Sequence, residues 1–159
     1  MQTFLPYYSF ILSAKALDKK RCWKQVVEAH QIIGILEIKQ NKHKSQLPTK
    51  IPWENHPAVK MWEGYTFELK VYFNAFLKIS KENHNINTKY EYYDVPPQSM
   101  VQDYEFPWWL GNEKFHRAMR SRLIEKNYDF YYPLWPEDIG YNNSKYFWPN
   151  METKTFKII

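Results

Sequence analysis

Lys24 and Glu28 stand four residues apart, with Arg21 three residues before Lys24 and Gln25 between them, in the stretch DKKRCWKQVVEAHQIIGIL from Asp18 to Leu36. At about 100° per residue these four fall together on one side of a helix. Cys22, Val26, Ala29, Ile33 and Leu36 fall on the other side, with Trp23 at its edge. A long amine, a guanidinium, an amide and a carboxylate on one face could serve a site where an amine attacks a sugar carbon, a carboxylate handles the proton and an arginine holds a phosphate. The ordinary alternative is an exposed polar face with an i,i+4 ion pair that stabilises by about 0.2–0.5 kcal/mol. Spacing alone leaves both readings open.

Several elements must position such a face. Asp18 suits an N-cap, so the helix is expected to begin near Lys19, and its far end is blurred by Gly34 and the polar run Lys39 to Lys44. Before it, Pro6 keeps residues 1–8 extended, and Ser9 is expected to cap a short helix through about Leu17. After it, Pro48 and Pro52 mark a loop carrying Lys39, Lys42, Lys44 and Lys50 with His43 among them, read either as a solvated basic loop or as one that tracks phosphates. Asn55 or His56, just before Pro57, is placed to open a helix that runs from Ala58 to about Glu82. Its apolar stripe is Trp62, Tyr65, Leu69, Tyr72, Phe73 and Phe76, broken only by Gly64.

A third helix is expected from Asn112, and it brings His116, Arg117, Arg120 and Arg122 together. Two arginines three apart can grip neighbouring phosphates, while ion pairs with Glu113 or Glu125 are the structural alternative. Residues 83–107, with Pro96-Pro97, read as an ordered irregular excursion. The tail from Tyr128 to Ile159 reads as an irregular aromatic layer over the helices, in which some rings could stack on bases.

The fold class expected is mainly α: one compact domain over residues 1–159, with about three principal helices and long aromatic-rich loops. A formal charge of +5 favours an anionic partner such as nucleic acid. The lone Cys22 excludes an internal disulfide framework and reads as a small buried hydrophobe. No run approaches a membrane span and the start lacks a signal-peptide layout, so the expectation is an intracellular protein of the cytoplasm, nucleoid or nucleus with no membrane partner. The histidines have no ligand spacing, no glycine-rich phosphate loop occurs and no serine sits in a nucleophile elbow; neither a metal nor a cofactor is expected.

The phrases MQTFLPY, ALDKKRCWKQVVEA, WENHPAVKMWEGY, PWWLGNEKFHRAMRSRLIEK and YFWP, in that order, resemble the pyrimidine dimer DNA glycosylase family, its bacterial and viral branch more closely than the phage endonuclease. The resemblance implies a DNA glycosylase with accompanying AP lyase activity, in which an amine forms an imine with the sugar of a damaged or modified pyrimidine. Glu28 matches the family's essential glutamate, and a histidine at the place of His56 lines the family's site. The nucleophile is the α-amino group of Met1 or the side chain of Lys24. Reference pKa values of about 7.7–8.0 for an α-amino group and 10.4 for a lysine favour a terminal amine near neutral pH. Double-stranded DNA would be held by Thr3, Arg21, Gln25, His116, Arg117 and Arg120, and a monomer is expected. A non-catalytic nucleic-acid-binding module on the same scaffold, or an aromatic-rich protein-interaction domain, are the competing readings.

Overall fold

Ser9 accepts the Leu12 N–H at 3.1 Å and so starts α1 (Phe10–Ala16), as its type predicts. A computed structural model describes residues 1–41, 50–95 and 106–159 of the chain. After a break at Leu17 and Asp18 comes α2 (Lys19–Gln40), 22 residues or about 33 Å long. Asp18 occupies the N-cap position without capping through its side chain. Its carboxylate instead accepts the Tyr131 hydroxyl and lies 3.3 Å from an Arg21 guanidinium nitrogen.

The apolar face of α2 is buried as its spacing predicts, through Cys22, Val26, Ala29, Ile33 and Leu36. The burial extends further, to Ile32 and to the polar Gln25 and Glu28. The reading of Arg21, Lys24, Gln25 and Glu28 as one exposed polar face therefore fails for Gln25 and Glu28. The physical reason is that residues 2–5 are themselves buried, and hydrogen bonds tie them to this side of α2.

His56 opens α3 (Pro57–Lys60), its Nδ1 accepting the Ala58 N–H at 3.0 Å. The expected long helix is split at Gly64, whose φ of 81° ends one segment, and α4 (Thr66–His84) follows. Leu69, Tyr72, Phe73, Phe76, Leu77 and Ile79 of α4 pack with the apolar face of α2 in the main cluster of the core. Asn112 caps α5 (Glu113–Lys126) by accepting the Phe115 N–H at 3.2 Å. A short α6 (Tyr128–Tyr131) comes next.

The tail is less irregular than its composition implies. Two 3-10 turns, Pro136–Asp138 and Tyr141–Ser144, lead into an antiparallel hairpin of β1 (Phe147–Asn150) and β2 (Thr155–Ile158). Several of its rings are core and not free to stack on bases: Tyr131 and Trp135 lie parallel at 5.5 Å, both buried. The expected loop residues Lys42, His43, Lys44 and Pro48, and also Pro96-Pro97, lie outside the described residues. Of the other two lysines of that loop, Lys39 belongs to α2 and pairs with Glu63, and Lys50 is exposed.

One turn is strained. Glu54 N–H donates to Ile51 O at 3.3 Å, and between them Trp53 has a φ of 65°. Pro52 suits the second position of such a turn, but the third favours Gly or Asn, and an L side chain there costs roughly 1–2 kcal/mol. Trp53 is nevertheless 64% exposed.

Candidate active site

The first residues of the chain are held by side chains from three helices and from the turn between α3 and α4. Glu28 Oε2 accepts the Gln2 N–H at 2.8 Å, and Gln25 Oε1 accepts the Phe4 N–H at 2.7 Å. The Trp62 indole N–H donates to Thr3 Oγ1 at 3.0 Å. The Tyr72 hydroxyl lies 2.9 Å from both Phe4 O and Gln25 Oε1 and shares its one proton between them. From α5, His116 Nδ1 meets Leu5 O at 2.8 Å and Arg120 Nη1 donates to Pro6 O at 2.8 Å. Because Gly111 N–H donates to His116 Nε2 at 2.9 Å, that nitrogen is the bare one and Nδ1 carries the proton. Burial accordingly holds His116 below the ordinary imidazole pKa of 6.5.

Thr3, Gln25, His116 and Arg120, expected to touch DNA, are therefore turned inward: each is at most 8% exposed and bonded to the protein itself. They position the arm. Arg117 and Arg120 both donate through Nε to the buried Asp138, at 2.7 and 2.6 Å, the structural ion pairing that was the alternative to phosphate contacts, here with Asp138 as an acceptor. Arg120 also reaches Glu113 at 2.7 Å, and Arg117 stacks at 4.1 Å on the Tyr141 ring. Arg117 keeps 36% of its side chain exposed.

Met1, Gln2, Gln25 and Glu28 form one side of a cavity of about 320 Å³. Its other walls carry Lys20, Arg21 and Lys24 from α2, Arg122 and Lys126 from α5, and Tyr146 ahead of β1. Five cations and one carboxylate thus line the same cavity. Lys24 is mostly exposed, its ammonium 3.8 Å from Glu28 Oε1. Arg21 bonds Lys126 O at 3.2 Å, which ties α2 to the end of α5. Lys126 is held below the ordinary lysine pKa by partial desolvation and by Arg122, Arg21 and Lys24, against the pull of Glu28. Arg122 and Lys126 were missed as cavity residues, although their i,i+4 spacing on a basic helix was a usable signal.

His56 lies on the other flank, half-buried, with its ring edge-on to Trp148 at 6.3 Å and to Trp53 at 5.9 Å. Its pKa is lowered by desolvation first and then by the terminal ammonium, with Glu28 acting in the opposite sense. The structure therefore brings together Met1, Lys24, Glu28 and Arg21, with His56 within electrostatic reach. Among the described residues no group of His, Cys, Asp and Glu could hold a metal ion.

A buried carboxylate beside Met1, in a cavity lined by five cations, suits chemistry on a phosphate-bearing sugar. Residues 1–90 match the family model for pyrimidine dimer DNA glycosylases. The chain belongs to this family. Membership makes it a DNA glycosylase with DNA as its partner, and the mainly α architecture agrees with it. No curated protein and no solved structure matches the chain. The matched stretch contains the arm, α2, His56 and α4, whereas Arg122, Lys126 and Tyr146 close the cavity from outside it. Among the described residues no helix is long and apolar enough to cross a membrane.

Proposed function

We propose that the chain excises damaged pyrimidines from duplex DNA through an imine, with the amino group of Met1 as nucleophile and an accompanying AP lyase step. The observation that supports this most is the arm: backbone or side-chain groups of residues 2–6 are each bonded by Glu28, Trp62, Gln25, Tyr72, His116 or Arg120. A chain start needs no such anchoring to fold, but a nucleophile does, because rate depends on holding the reacting atoms in register.

In this reading the unprotonated amine attacks the sugar C1′, the glycosidic bond breaks, and the base leaves with its electron pair and takes up a proton. Opening of the sugar ring gives the imine. Glu28 stabilises the positive charge on the sugar and moves protons, including the C2′ proton whose loss expels the 3′ phosphate. His56, neutral over more of the range near pH 7 than an ordinary histidine, accepts or relays a proton at the edge of the site. Lys20, Arg21, Lys24, Arg122 and Lys126 hold the phosphates that flank the sugar. Lys24 and Lys126 are the rival amines.

Borohydride reduction during reaction with a thymine-dimer or abasic duplex, followed by peptide mapping, tests the assignment. An adduct on the first peptide that survives Lys24→Ala and Lys126→Ala but is lost on acetylating the terminus assigns Met1. Turnover of a good substrate with no adduct under any condition overturns the imine and leaves Glu28 activating water.

A further inference from the structure

Tyr146 lines the same cavity as Met1 and Glu28. Its backbone is fixed: the N–H donates to Ile159 O at 3.0 Å and the carbonyl accepts the Ile159 N–H at 3.3 Å, one step beyond the paired residues of β1 and β2. The ring is fixed as well. It stands edge-on to Trp148 at 5.3 Å and tilted against Phe4 at 6.4 Å, with the Arg122 guanidinium carbon 5.3 Å from its centroid.

Burial keeps this phenol protonated, raising its pKa above the ordinary 10, while the Arg122 guanidinium and the Gln2 amide face its oxygen and pull the other way. A phenol has one proton to donate. Among the described residues no acceptor is bonded to that proton. Gln2 Nε2 and Arg122 Nε are themselves buried without a hydrogen-bond partner among those residues. This wall of the cavity thus offers more donors than acceptors, and a phosphate, built of acceptors, is its complement.

Two phosphates flank the sugar, and the imine reading above treats them differently. When the C2′ proton passes to Glu28, the C–H electron pair forms the C2′–C3′ double bond. The C3′–O bond then breaks, and its pair goes to the oxygen that stays on phosphorus. The departing 3′ phosphate gains a negative charge, whereas the 5′ phosphate is unchanged. An ammonium or guanidinium attracts a phosphate before and after this step, but a neutral donor without a partner at rest gains most where charge appears. We propose that the Tyr146 hydroxyl donates a hydrogen bond to the 3′ phosphate as it leaves, so that Tyr146 serves strand cleavage and not removal of the base. The inference rests on the imine reading and adds a catalytic residue from outside the stretch that the family model matches.

The test is Tyr146→Phe, which keeps the ring contacts and removes only the hydroxyl. Single-turnover reactions on a thymine-dimer duplex are read twice, with alkali for base excision and without it for strand cleavage. The expected result is a ratio of strand cleavage to excision lowered by about ten-fold or more, with more borohydride-trapped adduct on uncut strand. Sulfur in place of the oxygen that bridges C3′ to phosphorus is a better leaving atom, so a duplex carrying it should bring the ratio back towards the wild-type value. Equal slowing of both readouts, an unchanged ratio, or a ratio that sulfur does not restore overturns the role of Tyr146, while wild-type cleavage without alkali keeps the lyase reading intact. Wild-type protein that excises the base but cleaves the strand only after alkali overturns both.

Discussion

Glu28 accepts the Gln2 N–H through Oε2 at 2.8 Å while its Oε1 lies 3.8 Å from the Lys24 ammonium. One carboxylate thus both seats the arm and faces the cavity, so its two duties separate by substitution. Glu28→Gln keeps an acceptor for the buried N–H and should leave the melting temperature nearly unchanged, with excision of a thymine dimer down at least about 100-fold. Glu28→Ala leaves that N–H unpaired and should cost a further 1–3 kcal/mol or so of stability. Thermal melts and a gel-based excision assay on both variants read the two effects.

Gln25→Ala should act on rate more than on binding. It removes the acceptor of the Phe4 N–H without touching a cation of the cavity, so the arm loosens while the phosphate contacts stay. Single-turnover excision should slow by about ten-fold or more, with the dissociation constant for dimer duplex in the Glu28→Gln background altered less than about three-fold. A loss confined to affinity would place Gln25 on the DNA after all.

Charge at the cavity should appear in the salt dependence. Arg122→Ala and Lys126→Ala should each flatten the log-log slope of duplex binding by about one unit. Arg120→Ala should leave the slope unchanged. It removes one of two guanidinium donors to the buried Asp138, and should lower stability by about 3–5 kcal/mol. Titrations at several salt concentrations, beside urea denaturation, distinguish a phosphate contact from a structural pair.

Acid should loosen the arm. His116 is buried neutral, with its folded pKa below the ordinary 6.5, so as pH falls the unfolded chain takes up the proton first. Its contribution is complete above about pH 6.5 and is lost as pH falls through the folded value. His56, also lowered, acts in the same sense. Urea midpoints at pH 7.5, 6.5 and 5.5 should therefore decline, and His116→Gln should flatten the decline without abolishing it.

Much of the scaffold was legible because its signals are local. Ser9 caps as its type predicts, a helix starts at Asn112 as expected, His56 is the one of the two candidates before Pro57 that caps, and the apolar stripe of α2 is buried where its period puts it. Glu28 was legible from the resemblance of its surrounding phrase. The inward turn of Gln25 was not, since a helical projection shows which residues share a face and says nothing about an extended arm crossing it. Asp138 escaped notice for the same reason: its partners Arg117 and Arg120 lie 21 and 18 residues earlier, across α6 and a turn, with no periodicity linking them. The cation-lined cavity draws on the arm, α2, α5 and Tyr146, which only tertiary structure brings together.

The hydrogen bonds from His116 to Leu5 and from Arg120 to Pro6 span 111 and 114 residues. During synthesis the arm emerges well before α5, which carries two of its anchors. Contacts of such separation form late, because the loop they close is long. A nascent chain ending before α5 would carry the anchors from α2, Trp62 and Tyr72 and still lack the two from α5. The seat of the arm is thereby completed only when α5 has folded against it.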